Sequence, residues 1–201
     1  MHDALLARFG ILIRHGFLDP ETCARVRENV QRASSFAARV EGSGKVALDT
    51  ERRRSRIAQV DDETADLVAE PLRALTPTLE EHFETTFSGF QDPEFLVYGE
   101  GDFFRPHTDS SPLEEAADFR RERRVSTVVI LNPTSEEPQP GTYGGGALTF
   151  YGLMGGDERA AGVGMAFEAR EGSLVAFRSE VVHGVAPVTH GERYSVTTWF
   201  V

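Results

Sequence analysis

The feature that most constrains the fold of this 201-residue chain is a train of short β-type runs in its second half. Residues 95–98, 125–131, 147–150, 173–177 and 194–201 are rich in β-branched and aromatic side chains, and glycine- and proline-bearing turns separate them, notably 132–146 and 152–164. Many short strands with such turns favour a sandwich, jelly roll or barrel over a parallel α/β sheet. No run ends in a GxGxxG or a P-loop, so nucleotide binding has no support. The first half is mixed, with helices dominant. Asp19 followed by Pro20 is a helix start, and Cys23, Val26, Val30 and Ala33 then recur at helical spacing. A second helical region begins near Asp62, with Leu67, Leu72, Leu75, Leu79 and Phe83 on its buried side, and Pro71 and Pro77 are expected to break it. Between them, residues 41–56 are polar and end in four arginines around Ser55, which predicts a loop or exposed hairpin. The expected fold class is α+β: a double-stranded β-helix (jelly roll) core with helices packed on its outside. The chain reads as one domain, with residues 1–93 as mainly helical support and 94–201 as the roll.

Composition narrows the partners. The formal charge of −11 disfavours general binding to phosphate backbones or anionic lipid, so neither a nucleic acid nor a membrane is expected. Lys45 is the only lysine among 21 basic residues, so the positive charge is almost entirely arginine. The single cysteine, Cys23, excludes an internal disulfide framework and a multi-cysteine metal site. Residues 1–14 lack a signal-peptide pattern, and no apolar run has membrane-spanning length, which predicts a cytoplasmic protein.

Three features carry chemistry. In His107-Thr108-Asp109 an extended backbone points the imidazole and the carboxylate to the same face, so both can meet one ion, although an isolated HxD is usually an ordinary loop. His183 stands among valines, where a histidine is more often a satisfied core residue than a ligand. Together the three make a set suited to non-haem Fe(II), and equally to a catalytic zinc. The third feature is Arg193. On the final strand Arg193, Ser195, Thr197 and Trp199 share one face, offering a cation, two hydroxyls and an aromatic wall. An inward arginine is costly unless an anion meets it, and its fork binds a carboxylate bidentately. A structural ion pair is the plain alternative.

These residues belong to ordered blocks: Tyr98, His107-Thr108-Asp109, Arg124-Val125-Ser126 with Leu131-Asn132, Gly144 to Phe150, Gly172 to Phe177 with His183, and Pro187-Val188 with Gly191 to Tyr194 and Trp199. From about Phe95 to Val201 the chain resembles the prolyl 4-hydroxylase-like branch of the Fe(II)/2-oxoglutarate dioxygenases. The resemblance implies that His107, Asp109 and His183 are iron ligands and that Arg193 meets the distal carboxylate of 2-oxoglutarate. It also implies that Tyr98 lies near the co-substrate and that Thr197 assists Arg193. Fe(II) and 2-oxoglutarate follow as cofactor and co-substrate, with ascorbate a further candidate and O2 the oxidant. The implied reaction hydroxylates an unactivated C–H, first of all on a prolyl residue or related amino-acid unit. The substrate is a small molecule, peptide or protein. Two departures stand out: Ile130 precedes Leu131-Asn132 where relatives commonly carry tyrosine, and arginine fills position 193 where many prolyl hydroxylases use lysine. The presence of Asp109 argues against the related halogenases.

The alternatives are another cupin-like metalloenzyme that needs no keto acid, or a non-enzymatic metal- or ligand-binding sensor. Arg193 with Thr197 separates them from the first reading, because only a keto-acid co-substrate needs a deep carboxylate clamp. Segments 41–56 and 110–124 are candidate lids over the substrate. The basic run from Arg120 to Arg124 is expected to be a solvated helix end, Gly144-Gly145-Gly146 a tight turn, and Phe103 and Phe104 one core residue and one pocket residue.

Overall fold

The computed structural model describes residues 2–42, 45–111, 118–153 and 162–201. The chain opens with helix α1 (His2–Ala7), strand β1 (Leu12–Arg14) and helix α2 (Pro20–Arg32). Five short strands follow: β2 (Ser35–Ala37), β3 (Val40–Gly42), β4 (Lys45–Ala47), β5 (Arg53–Arg54) and β6 (Arg56–Ala58). The long helix α3 (Asp62–Phe83) leads into β7 (Glu94–Tyr98), β8 (Phe103–His107), the short α4 (Asp118–Glu122) and β9 (Val125–Ile130). The remainder is β10 (Tyr143–Gly145), β11 (Leu148–Tyr151), β12 (Gly164–Ala166), β13 (Leu174–Arg178), β14 (His183–Val185), β15 (Val188–Gly191) and β16 (Arg193–Phe200). Among the described residues no helix is long and apolar enough to cross a membrane.

Two antiparallel sheets make the jelly roll. The larger has the order β1-β13-β9-β16-β7-β6-β2 and the smaller β12-β11-β14-β8-β5. Alternation along the strands assigns each side chain to one of two cores. Phe95 and Val97 of β7, Leu174 and Ala176 of β13, and Tyr194, Val196 and Phe200 of β16 pack outward against α2 and α3. Their neighbours point into the roll: Val175 and Phe177 join Val128, Ile130, Leu148 and Phe150, while Leu96 and Tyr98 meet Val185 and Val188. The predicted face of β16 with Arg193, Ser195, Thr197 and Trp199 is therefore the interior face, because the other face is taken by the helices.

Asp19 caps α2 as expected, its carboxylate accepting from the Thr22 backbone N–H, and Cys23, Val26 and Val30 are buried. Asp61 caps α3 in the same way, accepting from Thr64. The expectation that Pro71 and Pro77 break this helix is wrong: it runs unbroken for 22 residues with both prolines inside. An interior proline costs about 3 kcal/mol or more. Val68, Leu72, Leu75, Leu79 and Phe83 are buried on one stripe, at about 1.5–3 kcal/mol each, which outweighs two lost hydrogen bonds. Segment 41–56 is also more ordered than a loop. Its start forms the β3–β4 hairpin, but Arg53-Arg54 add to β8, and Arg56–Ala58 pair with β7, so Arg53 and Ser55 are buried. Residues 43–44 of that segment lie outside the described residues, as do 112–117 of the segment 110–124.

Candidate functional site

The smaller sheet brings the two histidines together. His183 of β14 is the direct cross-strand partner of His107 of β8, and their rings lie 4.4 Å apart. Gly184 lets the strands approach this closely, since a Cβ there would stand 2.8 Å from the Phe104 carbonyl oxygen and 3.1 Å from the Pro106 nitrogen. Asp109 follows β8 in a turn that is pinned twice. Its own N–H and that of Ser110 donate to the Ser179 carbonyl, at 2.9 and 3.0 Å, and the Arg120 guanidinium donates to the carbonyls of Thr108 and Asp109. The helix end expected to be solvated is thus partly inward, because Arg120 is spent on this turn and Arg123 is half-buried beside it.

Ligand-capable atoms of His107, Asp109 and His183 all lie within 4.8 Å of one another. Each histidine uses Nδ1 on a backbone carbonyl, Arg105 for His107 and Val181 for His183, both at 2.9 Å. A carbonyl only accepts, so Nδ1 carries the proton and Nε2 keeps its lone pair toward Asp109. The two Nε2 atoms lie 3.4 Å from the two Asp109 oxygens. Burial alone would raise the Asp109 carboxyl, but His183, His107 and the Ser126 hydroxyl hold it well below the usual carboxylate range. Burial pushes His183 down to about 4, so it is neutral near pH 7. Two imidazoles that point Nε2 at one carboxylate, with Asp109 Oδ2 buried and otherwise without a hydrogen bond, form a donor set that fits a divalent metal. Phe104 stacks on His107 at 3.6 Å and Phe177 sits edge-on to His183 at 4.5 Å, fixing both rings. Phe104 is the pocket phenylalanine. Phe103 is only half-buried and lies beneath the Arg54 guanidinium rather than in the core.

The larger sheet supplies the opposite wall of the same cavity, about 250 Å³ in volume. Arg193 is only 1% exposed. Its Nη1 donates to Ser195 Oγ at 2.7 Å, while Nε and Nη2 are buried with no hydrogen-bond partner. Tyr98, its cross-strand neighbour, lies 5.3 Å from the guanidinium, and Thr197 lines the cavity further along β16. All six candidate residues therefore face one space. Tyr143 was not foreseen. Its hydroxyl is also buried without a hydrogen bond, and burial raises its pKa against the pull of the neighbouring Arg193. The nearby glycine run, expected as a tight turn, forms β10 and its exit: Gly146 has φ +59°, and a Cβ there would meet Arg193 Cδ at 3.0 Å. Ile130 lies fully buried in the inter-sheet core.

Two unpaired donors on a buried cation, lining the same cavity as a three-ligand cluster, fit a dicarboxylate that also chelates a metal. Comparison with known proteins agrees with this fit. A PKHD-type hydroxylase of Rhizorhabdus wittichii is 29% identical over 108 residues, 53% of this chain and 41% of that protein, so the chain spans less than half the length of that curated relative. A Pseudomonas putida prolyl-4-hydroxylase superposes with a TM-score of 0.69 at 27% identity, covering 100% of this chain and 98% of that one. A prolyl hydroxylase from Trichoplax adhaerens, solved with a hypoxia-inducible-factor peptide, shares the fold with a TM-score of 0.68 at 20% identity, covering 100% of this chain and 87% of that one. The sequence profile of the 2OG-Fe(II) oxygenase superfamily matches residues 93–201, the stretch from β7 to the C-terminal residue that holds every candidate ligand, and the chain belongs to that superfamily.

Proposed function

We propose that this chain is an Fe(II)- and 2-oxoglutarate-dependent dioxygenase that hydroxylates an unactivated C–H, with a prolyl residue or related amino-acid unit as the first substrate class. The observation that carries the reading is Arg193, whose buried Nε and Nη2 are unpartnered and face the cavity that holds the His107–Asp109–His183 cluster.

In this reading those three residues hold the iron, and the two Nδ1–H bonds to Arg105 and Val181 keep the imidazoles in the ligating tautomer. Bound there, the metal would supply the redox chemistry that couples oxidation of 2-oxoglutarate by O2 to substrate hydroxylation, one oxygen atom leaving in succinate beside CO2 and the other entering the C–H as hydroxyl. Arg193 receives the distal carboxylate bidentately, Ser195 orients the guanidinium from Nη1, and the Tyr143 hydroxyl stands ready as a further donor. Tyr98 lines the same end, and Thr197 lines the cavity further along β16. Val128, Leu148 and Val185 make the floor apolar, which limits water near the reacting carbon.

The test starts from purified protein reconstituted with Fe(II). Calorimetry should give one metal per chain and one 2-oxoglutarate per metal-loaded chain, and supplying O2 should yield succinate. His183→Ala should abolish metal binding and succinate formation while preserving the circular dichroism spectrum. Failure of the wild type to bind 2-oxoglutarate would refute the reading and favour a cupin-like metalloenzyme or a sensor.

A further inference from the structure

The cavity is far more basic than the chain that forms it. Six arginines line it, Arg39, Arg52, Arg53, Arg120, Arg123 and Arg193, against two carboxylates, Glu94 and Asp109, in a protein of net charge −11. Three of these charges are already explained: Asp109 belongs to the ligand cluster, Arg193 to the deep end, and Arg120 to the carbonyls of the 108–109 turn. The outer wall is left with four arginines and Glu94.

Neutral partners hold the inner two of these arginines. Arg53 donates to Ser55 Oγ at 2.8 Å and lies over the Phe104 ring at 4.7 Å, and its nearest Glu94 oxygen is 4.0 Å away. Arg123 donates to Gln91 Oε1 at 2.9 Å and stacks on Trp199 at 3.5 Å. Neutral acceptors and ring faces orient a guanidinium without cancelling its charge. The Trp199 Nε1–H is buried without a partner beside them. Glu94 is the single carboxylate set against these four arginines; burial raises its pKa, while Arg53 and Arg123 pull it down. Arg39 and Arg52 are exposed at the rim, and Phe36 and Phe119, 46% and 41% exposed, flank the opening.

We propose that the substrate is itself an anion, whose carboxylate is received by Arg53 and Arg123 on the outer wall, with Arg39 and Arg52 drawing it in. Its apolar part lies against Trp199 and the two rim phenylalanines. Distance sets its size. Arg53 stacks on Phe104, and Phe104 stacks on His107, so the anion site lies two stacked layers from the metal cluster. The carbon that reacts is therefore only a few bonds from the carboxylate, as in an amino or imino acid or an acidic residue beside the target. This inference rests on the iron and 2-oxoglutarate reading and deepens it.

The test uses the full chain with Mn(II) in place of Fe(II) and saturating 2-oxoglutarate, whose own binding is measured first in the same calorimeter. Absence of that binding overturns the 2-oxoglutarate reading itself, separately from the anion site. Two acid–amide pairs are then titrated: N-acetyl-L-proline against N-acetyl-L-prolinamide, and a capped Pro-Asp hexapeptide against its Pro-Asn counterpart. At least one acid should bind on the order of tenfold to a hundredfold more tightly than its amide, and the preference should shrink as salt rises. The pair that shows it tells whether the carboxylate comes from a small acid or from an acidic peptide. The preference should collapse in Arg123→Gln and shrink in the exposed double variant Arg39→Gln/Arg52→Gln. It should persist in Arg14→Gln, on β1 away from the cavity. Equal binding of acid and amide in both pairs, no binding of any member, or a preference that survives in both pocket variants would overturn the proposal.

Discussion

Replacing Arg193 with Met should stabilise the ligand-free protein and at the same time cut its response to 2-oxoglutarate to about a third or less. Arg193 is 1% exposed and uses one donor, to Ser195 Oγ, while Nε and Nη2 have no partner. Such a cation costs several kcal/mol to keep out of water. Met fills similar volume without charge and forfeits one hydrogen bond worth about 1 kcal/mol. The net gain should be about 1–4 kcal/mol, the range seen when buried charges give way to apolar residues, and for a chain of this size that raises Tm by roughly 2–4 °C per kcal/mol. With ligand the sign reverses. At 2-oxoglutarate a hundredfold above Kd the wild type gains about 2.7 kcal/mol. Loss of the charged partner weakens the ligand by about 2–5 kcal/mol, or roughly thirty-fold to several-thousand-fold, so the variant at the same concentration gains less than about 1 kcal/mol. Differential scanning calorimetry of both proteins with Mn(II), with and without 2-oxoglutarate, reads both effects. A variant that is less stable than wild type and keeps its ligand-induced shift would show that Arg193 is a structural cation.

Gly184→Ala should weaken metal binding on the order of tenfold or more, because the new methyl meets the Phe104 carbonyl oxygen at 2.8 Å and forces β14 from β8; an Mn(II) titration followed by electron paramagnetic resonance checks it, and an unchanged Kd would mean that the strands have slack. Cys23 is fully buried, and burial pushes its thiol up to about 11, so the folded protein should resist a disulfide reagent at pH 8 and react fully once unfolded. Because its folded pKa is raised above the ordinary value of 9.0, the stability it contributes is whole below that pH and is lost as pH rises toward 11, a loss that Cys23→Ala should remove from the alkaline limb of a stability profile.

The parts of this site legible in the sequence are those written in strand alternation. Arg193, Ser195, Thr197 and Trp199 could be placed on one face because β16 is eight residues long and strictly two-sided. His107 and Asp109 were legible as a pair because only one residue separates them. Their meeting with His183 was not legible from spacing, since it depends on β8 and β14. β14 has three residues, and β8 contains Pro106, which lies past the reach of β5 and so needs no ladder partner on that edge. Tyr143 was hidden in a turn-rich stretch, where Gly146 leaves no room for a side chain between the Tyr143 ring and the Arg193 stem. Arg53 and Arg123 were hidden by their neighbours. In a run of arginines nothing local tells which is buried, and here that is decided by the cross-strand position of Phe104 and by the face of Trp199. The unbroken α3 failed for a related reason: local proline cost was weighed without the long apolar stripe that tertiary packing rewards.

The two halves of the pocket are held by different means, and this bears on how each tolerates change. Arg193 stands at the start of β16, the central strand of the larger sheet; it pairs directly with Tyr98 of β7, and from Ser195 on β16 is bonded by both β7 and β9, so its position is fixed by backbone ladders more than by neighbouring side chains. The metal cluster stands on two short strands and a turn, and its geometry is secured by side chains: Arg120 on the carbonyls of Thr108 and Asp109, Phe104 stacked on His107, and the Ser126–Ser179 hydroxyl pair beneath Asp109. Substitution at those supporting positions therefore acts on metal affinity before it acts on the fold. Substitution around β16 acts in the reverse order, because the outward face of the same strand carries the core against α2 and α3.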